Sequence, residues 1–160
     1  MSGEGRGFVI DTNVIVGAFF YGSDYPQLRT RERILENCRL VLHHLRGRNV
    51  AIPWLGVVEV ISVVKRITGD RGFAIRMGKA VENSFETVPE NELYEIAKEL
   101  ASTLDPSGFD TYFLALSLAR GYSLITRDTA LCNHVQKMGV ECLFIDESVD
   151  EKRITEFVGV

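Results

Sequence analysis

Short apolar runs alternate with longer stretches of helical periodicity along almost the whole chain, and this alternation restricts the folds open to it. The short runs are Phe8–Ile10, Val50–Ile52, Phe85–Val88, Ser123–Thr126 and Val140–Ile145. Each is too brief for a helix, rich in residues that favour strands, and bounded by Gly, Pro or polar side chains. Between them, helices are predicted over Asn13–Phe20, Thr30–Arg46, Trp54–Thr68, Arg71–Asn83, Glu90–Leu104, Tyr112–Arg120 and Thr129–Lys137, with one more short helix after Asp146. In Thr30–Arg46 the residues Ile34, Leu35, Cys38, Val41, Leu42 and Leu45 form an apolar stripe with arginines on the other side. Apolar strands joined by helices predict an α/β fold: a three-layer α/β/α sandwich around a central, mainly parallel sheet of about five strands. Ligands on such sheets bind beyond the carboxyl ends of the strands.

The 160 residues suit one domain over 8–160, preceded by a flexible tail over 1–7. No stretch of eighteen or more apolar residues occurs, which argues against a membrane span, and the first seven residues have no apolar core of the signal-peptide kind. Cys38, Cys132 and Cys142 are odd in number and include no Cys-x-x-Cys pair, which favours reduced cytoplasmic thiols over a disulfide framework or a zinc site. The net charge of −4 conceals an asymmetry. Residues 1–80 carry 12 Lys/Arg against 7 Asp/Glu, a net of +5, and residues 81–160 carry 6 against 15, a net of −9. A basic face could attract a phosphate backbone, and a solvated helix surface of mixed charge explains the same residues equally well.

Against this background four acids are out of place. Asp11 and Asp128 each follow an apolar strand run, Glu59 is embedded in Gly56-Val57-Val58-Glu59-Val60-Ile61, and Asp110 opens the apolar segment from Tyr112 to Ala119. A carboxylate held against hydrocarbon costs several kcal/mol unless a positive charge compensates it. Three have a simpler alternative. Asp11 and Asp128 fit helix N-caps, and Ser107 with Asp110 fits a capping pattern. Glu59 is harder to explain away, because no other charge lies between Trp54 and Val64; a helix apolar on all sides is expected to be buried, and Glu59 then needs a metal, a buried arginine or a raised pKa. Taken together the four can converge on one sheet edge. Oxygen-only ligands suit Mg²⁺ or Mn²⁺, and carboxylates gathered around such ions suit phosphodiester hydrolysis.

The pattern resembles the PIN-domain nucleases from Phe8 to about Ile145. The residues that carry the resemblance are Val9-Ile10-Asp11-Thr12-Asn13, the glutamate after a strand–proline step in Ile52-Pro53-Trp54-Leu55-Gly56-Val57-Val58-Glu59, and the block from Asp110 to Asp128 with the trailing Gly139–Leu143 segment. The resemblance implies that Asp11, Glu59, Asp110 and Asp128 are the catalytic, metal-site acids, and that Thr12, Asn13 and Thr126 are polar supports at the rim. It also implies a Mg²⁺- or Mn²⁺-dependent endoribonuclease acting on RNA. Many small members are similar to VapC, the homodimeric, cytoplasmic toxin of a toxin–antitoxin pair, so an antitoxin partner and a homodimer are expected. The alternatives are an RNA-processing or decay nuclease without an antitoxin, and a non-catalytic interaction module on the same fold.

The remaining features point elsewhere. His43, His44 and His134 read as helix-surface histidines, and Cys132 and Cys142 as small core or boundary residues. Phe20, Tyr21 and Tyr25, close to arginines, suit either stacking on unpaired bases or packing in an interface.

Overall fold

The computed structural model describes residues 5–159. Five strands, β1 (Gly7–Ile10), β2 (Asn49–Pro53), β3 (Glu86–Val88), β4 (Ser123–Thr126) and β5 (Cys142–Phe144), form one sheet in the order β3-β2-β1-β4-β5, and every pairing is parallel. The sheet is fully parallel where a mainly parallel one was expected. The central strands β1 and β4 are buried at every position, as apolar runs covered on both faces must be.

Among the described residues seven helices lie between the strands and an eighth follows the last one: α1 (Thr12–Phe19), α2 (Glu32–His44), α3 (Trp54–Thr68), α4 (Arg71–Ser84), α5 (Glu90–Thr103), α6 (Gly108–Arg120), α7 (Thr129–Lys137) and α8 (Glu151–Val158). Helix α6 packs on β1, β2 and α5, α7 packs on β4 and β5, and α1 packs against α2 and α3, which completes the three-layer sandwich. The core runs through Phe8, Ile10, Ile15, Ile52, Phe113, Leu114, Leu116, Leu124 and Ile125, all essentially inaccessible.

Several expectations need correction. Gly7 belongs to β1, paired with Asn49, and not to the tail. Residues 1–4 of that tail lie outside the described residues. Helix α6 begins at Gly108 and not at Tyr112, because the Ser107 hydroxyl accepts a hydrogen bond from the Asp110 N–H and caps it. Helix α3 is not buried on all sides: Trp54 and Val58 are more than half exposed, and its buried face is Gly56, Val57, Val60 and Val64. That face comes close to the sheet at Gly56, where an added Cβ would lie 2.5 Å from Cδ1 and Cγ1 of Ile52.

Cys132 and Cys142, expected as free thiols, form a disulfide with a Cα–Cα separation of 5.6 Å. The spacing of ten residues carries no sequence signature, but α7 packs back on β5 and brings the two side chains together. Cys38 is free and buried, its thiol pushed up to about 12 by burial, with Arg127 pulling the other way.

Part of the basic stretch in the first half is engaged in contacts within the chain. Arg31 pairs with Glu147 at 2.7 Å, Arg39 lies over the Tyr21 ring, and Arg48 donates to the carbonyls of Val158 and Gly159. Phe20 is buried and makes an edge contact with Tyr25, which removes it as a base-stacking surface. Among the described residues no helix is long and apolar enough to cross a membrane.

Candidate active site

The parallel sheet sends β1 and β4 side by side to one edge, and the two acids that follow them arrive there together. The Asp11 N–H continues the ladder by donating to the Ile125 carbonyl at 2.9 Å, so Asp11 is held in sheet geometry although it precedes α1. It is the one site acid that is buried, with 6% of its surface accessible. Its carboxylate does not cap α1. It accepts instead from the Thr126 hydroxyl at 2.6 Å and from the Thr12 hydroxyl at 3.3 Å. The same Thr126 oxygen accepts from the Asp128 N–H at 2.9 Å, so one side chain joins the ends of β1 and β4. Asn13 adds a third link, its Oδ1 accepting from the Arg127 N–H at 3.1 Å. Thr12, Asn13 and Thr126 thus all make hydrogen bonds at this strand edge.

Asp128 also caps α7, accepting from the Leu131 N–H at 3.1 Å. The capping alternative therefore holds for Asp128 in part and fails for Asp11. Asp110 sits in the first turn of α6, and Glu59 in the middle of α3; both are half-buried, as is Asp128. Only one of the four acids is thus fully enclosed, and the other three border solvent.

Electrostatics tie them to one another. Burial, with smaller contributions from the Glu59 and Asp110 charges, raises Asp11 to about 6 against the lowering effect of its bonds from the Thr126 hydroxyl and the Thr12 N–H. Glu59 is raised by burial and by Asp110, with the Thr12 hydroxyl opposing. Asp110 is raised by burial and by Asp128, with Ser107 and His134 opposing. The charges of Glu59 and Asp110 thus act on Asp11, and the charge of Asp128 acts on Asp110. Among the described residues none of the four forms an ion pair.

His134, expected on the helix surface, is half-buried on α7, with its Nδ1 enclosed and without a hydrogen-bond partner. His44 instead bonds Glu151 at 2.9 Å, away from the acids.

The donor set fits a hard divalent cation: it is made of carboxylate and hydroxyl oxygens, it concentrates negative charge, and its most buried member has only hydroxyl and amide partners. The four carboxylates do not draw together into a closed group of three or more donors among the described residues.

A PIN domain model matches residues 8–136, a span that contains all four acids. The chain belongs to the PIN domain family. This is a family of nucleases, and the resemblance of the Asp11, Glu59 and Asp110–Asp128 segments agrees with the matched span. No curated protein matches the sequence significantly. Solved structures do match the PIN fold. VapBC2 from Rickettsia felis, bound to a DNA fragment from its promoter, superposes with a TM-score of 0.58 at 15% identity, over 88% of this chain and 100% of that one. FitAcB from Neisseria gonorrhoeae gives 0.56 at 19% identity, over 85% and 96%. A toxin–antitoxin complex from Klebsiella pneumoniae gives 0.53 at 18%, over 76% and 86%.

Proposed function

We propose that this PIN domain is a Mg²⁺- or Mn²⁺-dependent endoribonuclease that hydrolyses RNA phosphodiester bonds, and that it acts as the toxin of a VapBC-type pair. The observation that carries the proposal is the Asp11 carboxylate: buried at a strand end, raised in part by the charges of Glu59 and Asp110, and held by hydroxyls with no cationic partner among the described residues.

Asp11, Glu59, Asp110 and Asp128 would hold the ion, which when bound supplies Lewis acidity toward the phosphoryl oxygens. Thr126 fixes the orientation of the Asp11 carboxylate and ties it to the backbone of Asp128. Asn13 braces the turn after β4 through Arg127. Glu59 and Asp110, both half-buried and open to solvent on one side, would also orient the attacking water. The kinship in fold to VapBC2 and to the Klebsiella pneumoniae toxin–antitoxin complex supports an antitoxin partner. A homodimer belongs to the same reading, and the exposed Trp54 and Val58 of α3 offer apolar surface for a second copy. The Cys132–Cys142 disulfide bears on location, because such a bond in a cytoplasmic protein is unusual outside hyperthermophiles.

Incubating the purified protein with single-stranded and structured RNA in Mn²⁺, beside Asp11→Ala, tests the proposal. Cleavage that needs metal and is lost in Asp11→Ala supports it. Metal-dependent cleavage that persists in Asp11→Ala contradicts it.

A further inference from the structure

A cleft of about 510 Å³ opens from the acidic site between α1, α3 and the loop around Gln27–Thr30. Thr12 and Glu59 are among its lining residues, so the cleft borders the carboxylate site. Along α3, Glu59, Val63 and Arg66 fall at i, i+4 and i+7 and share one face. Seven residues at 1.5 Å each set Arg66 roughly 10 Å along the helix axis from Glu59. Arg29 and Arg127 also line the cleft. None of these three arginines has an ion-pair partner among the described residues, and Glu59 is the only carboxylate in the lining. Arg127 donates to the Thr30 hydroxyl at 3.4 Å, which holds the loop against the end of β4. The wall between the charges is apolar, from Leu28, Val63 and Ile67.

An apolar wall bordered by guanidinium groups matches a nucleotide, which joins a flat base that gains by leaving water to an anion that a guanidinium can grip with two hydrogen bonds. A protein segment would have to bring carboxylates to meet the same three cations, whereas a nucleotide carries its anion with it. We propose that the cleft is the subsite for the nucleotide adjoining the scissile bond, its phosphate held by Arg66 with Arg29 and Arg127 and its base seated against Val63 and Ile67. This rests on the nuclease reading. Arg66 is then a positioning residue that aligns the chain for the acids.

The test is binding of a fluorescent single-stranded RNA to the Asp11→Asn protein, measured by anisotropy across a KCl series, with and without a second substitution. Arg66→Gln should weaken binding roughly tenfold and flatten the dependence of log Kd on log salt by about 0.7, the share of one phosphate contact on a single strand. Arg66→Lys should recover most of the slope, since it restores the charge. Val63→Trp, which fills the cleft, should weaken binding and leave the slope unchanged. If Arg66→Gln and Val63→Trp bind as tightly as the parent with the same slope, the subsite is wrong and the cleft is left to a protein segment. Cleavage by the otherwise unaltered chain separates the two levels. No RNA cleavage in Mn²⁺ overturns the nuclease reading and the subsite with it; normal cleavage with an indifferent Arg66→Gln overturns the subsite alone.

Discussion

The Thr126 hydroxyl donates to Asp11 Oδ2 at 2.6 Å. The same oxygen accepts from the Asp128 N–H at 2.9 Å, so a fully buried threonine couples two acids 117 positions apart in the chain. Thr126→Val keeps the shape and removes the hydroxyl. It leaves the Asp11 carboxylate and the Asp128 N–H short of a partner, at a cost of about 1–3 kcal/mol. Urea unfolding should register that loss, and RNA cleavage should fall with it. Thr126→Ser, which retains the hydroxyl, should recover most of the activity.

The gathered acids set a pH dependence. Asp11 titrates near 6 in the folded protein and near 3.8 when unfolded, so the folded state binds the extra proton between those values. The stability this adds is fully present below the unfolded value and is lost as pH rises through about 6. Without metal, unfolding free energy should decline across that window by up to about 3 kcal/mol, two pKa units at 1.36 kcal/mol each. The raised Glu59 and Asp110 act in the same direction. Asp11→Asn should flatten the profile, and denaturant titrations at pH 4 and pH 7 in EDTA read it. Equal slopes for the two proteins would count against the carboxylate cluster.

Metal should act in the opposite sense. A divalent cation binds the ionised, folded acids and stabilises the protein by mass action, so millimolar Mn²⁺ should raise the Tm near neutral pH and have little effect at pH 4. A melting temperature indifferent to Mn²⁺ at pH 7 would be inconsistent with the site.

Gly56 brings α3 close to β2. Alanine in a helix interior is ordinarily favoured over glycine by about 1 kcal/mol. Here its Cβ would meet Ile52 Cγ1 at 2.5 Å, and overpacking of that kind costs about 1–3 kcal/mol, so Gly56→Ala should be net destabilising. Because Glu59 lies one turn further along, cleavage should drop more than stability alone explains. A double-mutant cycle with Ile52→Ala should show coupling between the two positions, and simple additivity would refute the close approach.

The disulfide closes a short loop between α7 and β5. By loop-closure entropy, removing it with Cys132→Ser should cost about 3 kcal/mol. Peptide mapping without reductant should recover Cys132 linked to Cys142, and free thiols at both would contradict the link.

The sheet was legible because β1 and β4 are continuous apolar runs flanked by polar residues, the pattern that two-sided burial imposes. Asp11, Glu59, Asp110 and Asp128 could be picked out for the same reason, as charges interrupting or ending such runs. Their degree of burial could not be read, since it depends on how each helix end meets the sheet, and three of the four border solvent. Trp54 and Val58 look like core residues in sequence and stand exposed, because an α3 with apolar side chains all round does not reveal which side the sheet covers. The start of α6 was written in Ser107, yet the Tyr112–Ala119 run drew the boundary too late. The Cys132–Cys142 bond and the cleft joining Arg29, Arg66 and Arg127 depend on contacts between distant elements, and no local pattern carries those.

The central claim is that four carboxylates from four parts of the chain serve one metal site. Calorimetric titration of Mn²⁺ into the protein and into Asp11→Asn, Glu59→Gln, Asp110→Asn and Asp128→Asn tests it most directly. The account predicts measurable binding that each substitution weakens, with Asp11→Asn the most damaging. Binding that is unchanged in Asp11→Asn, or absent from the unsubstituted protein, would contradict it.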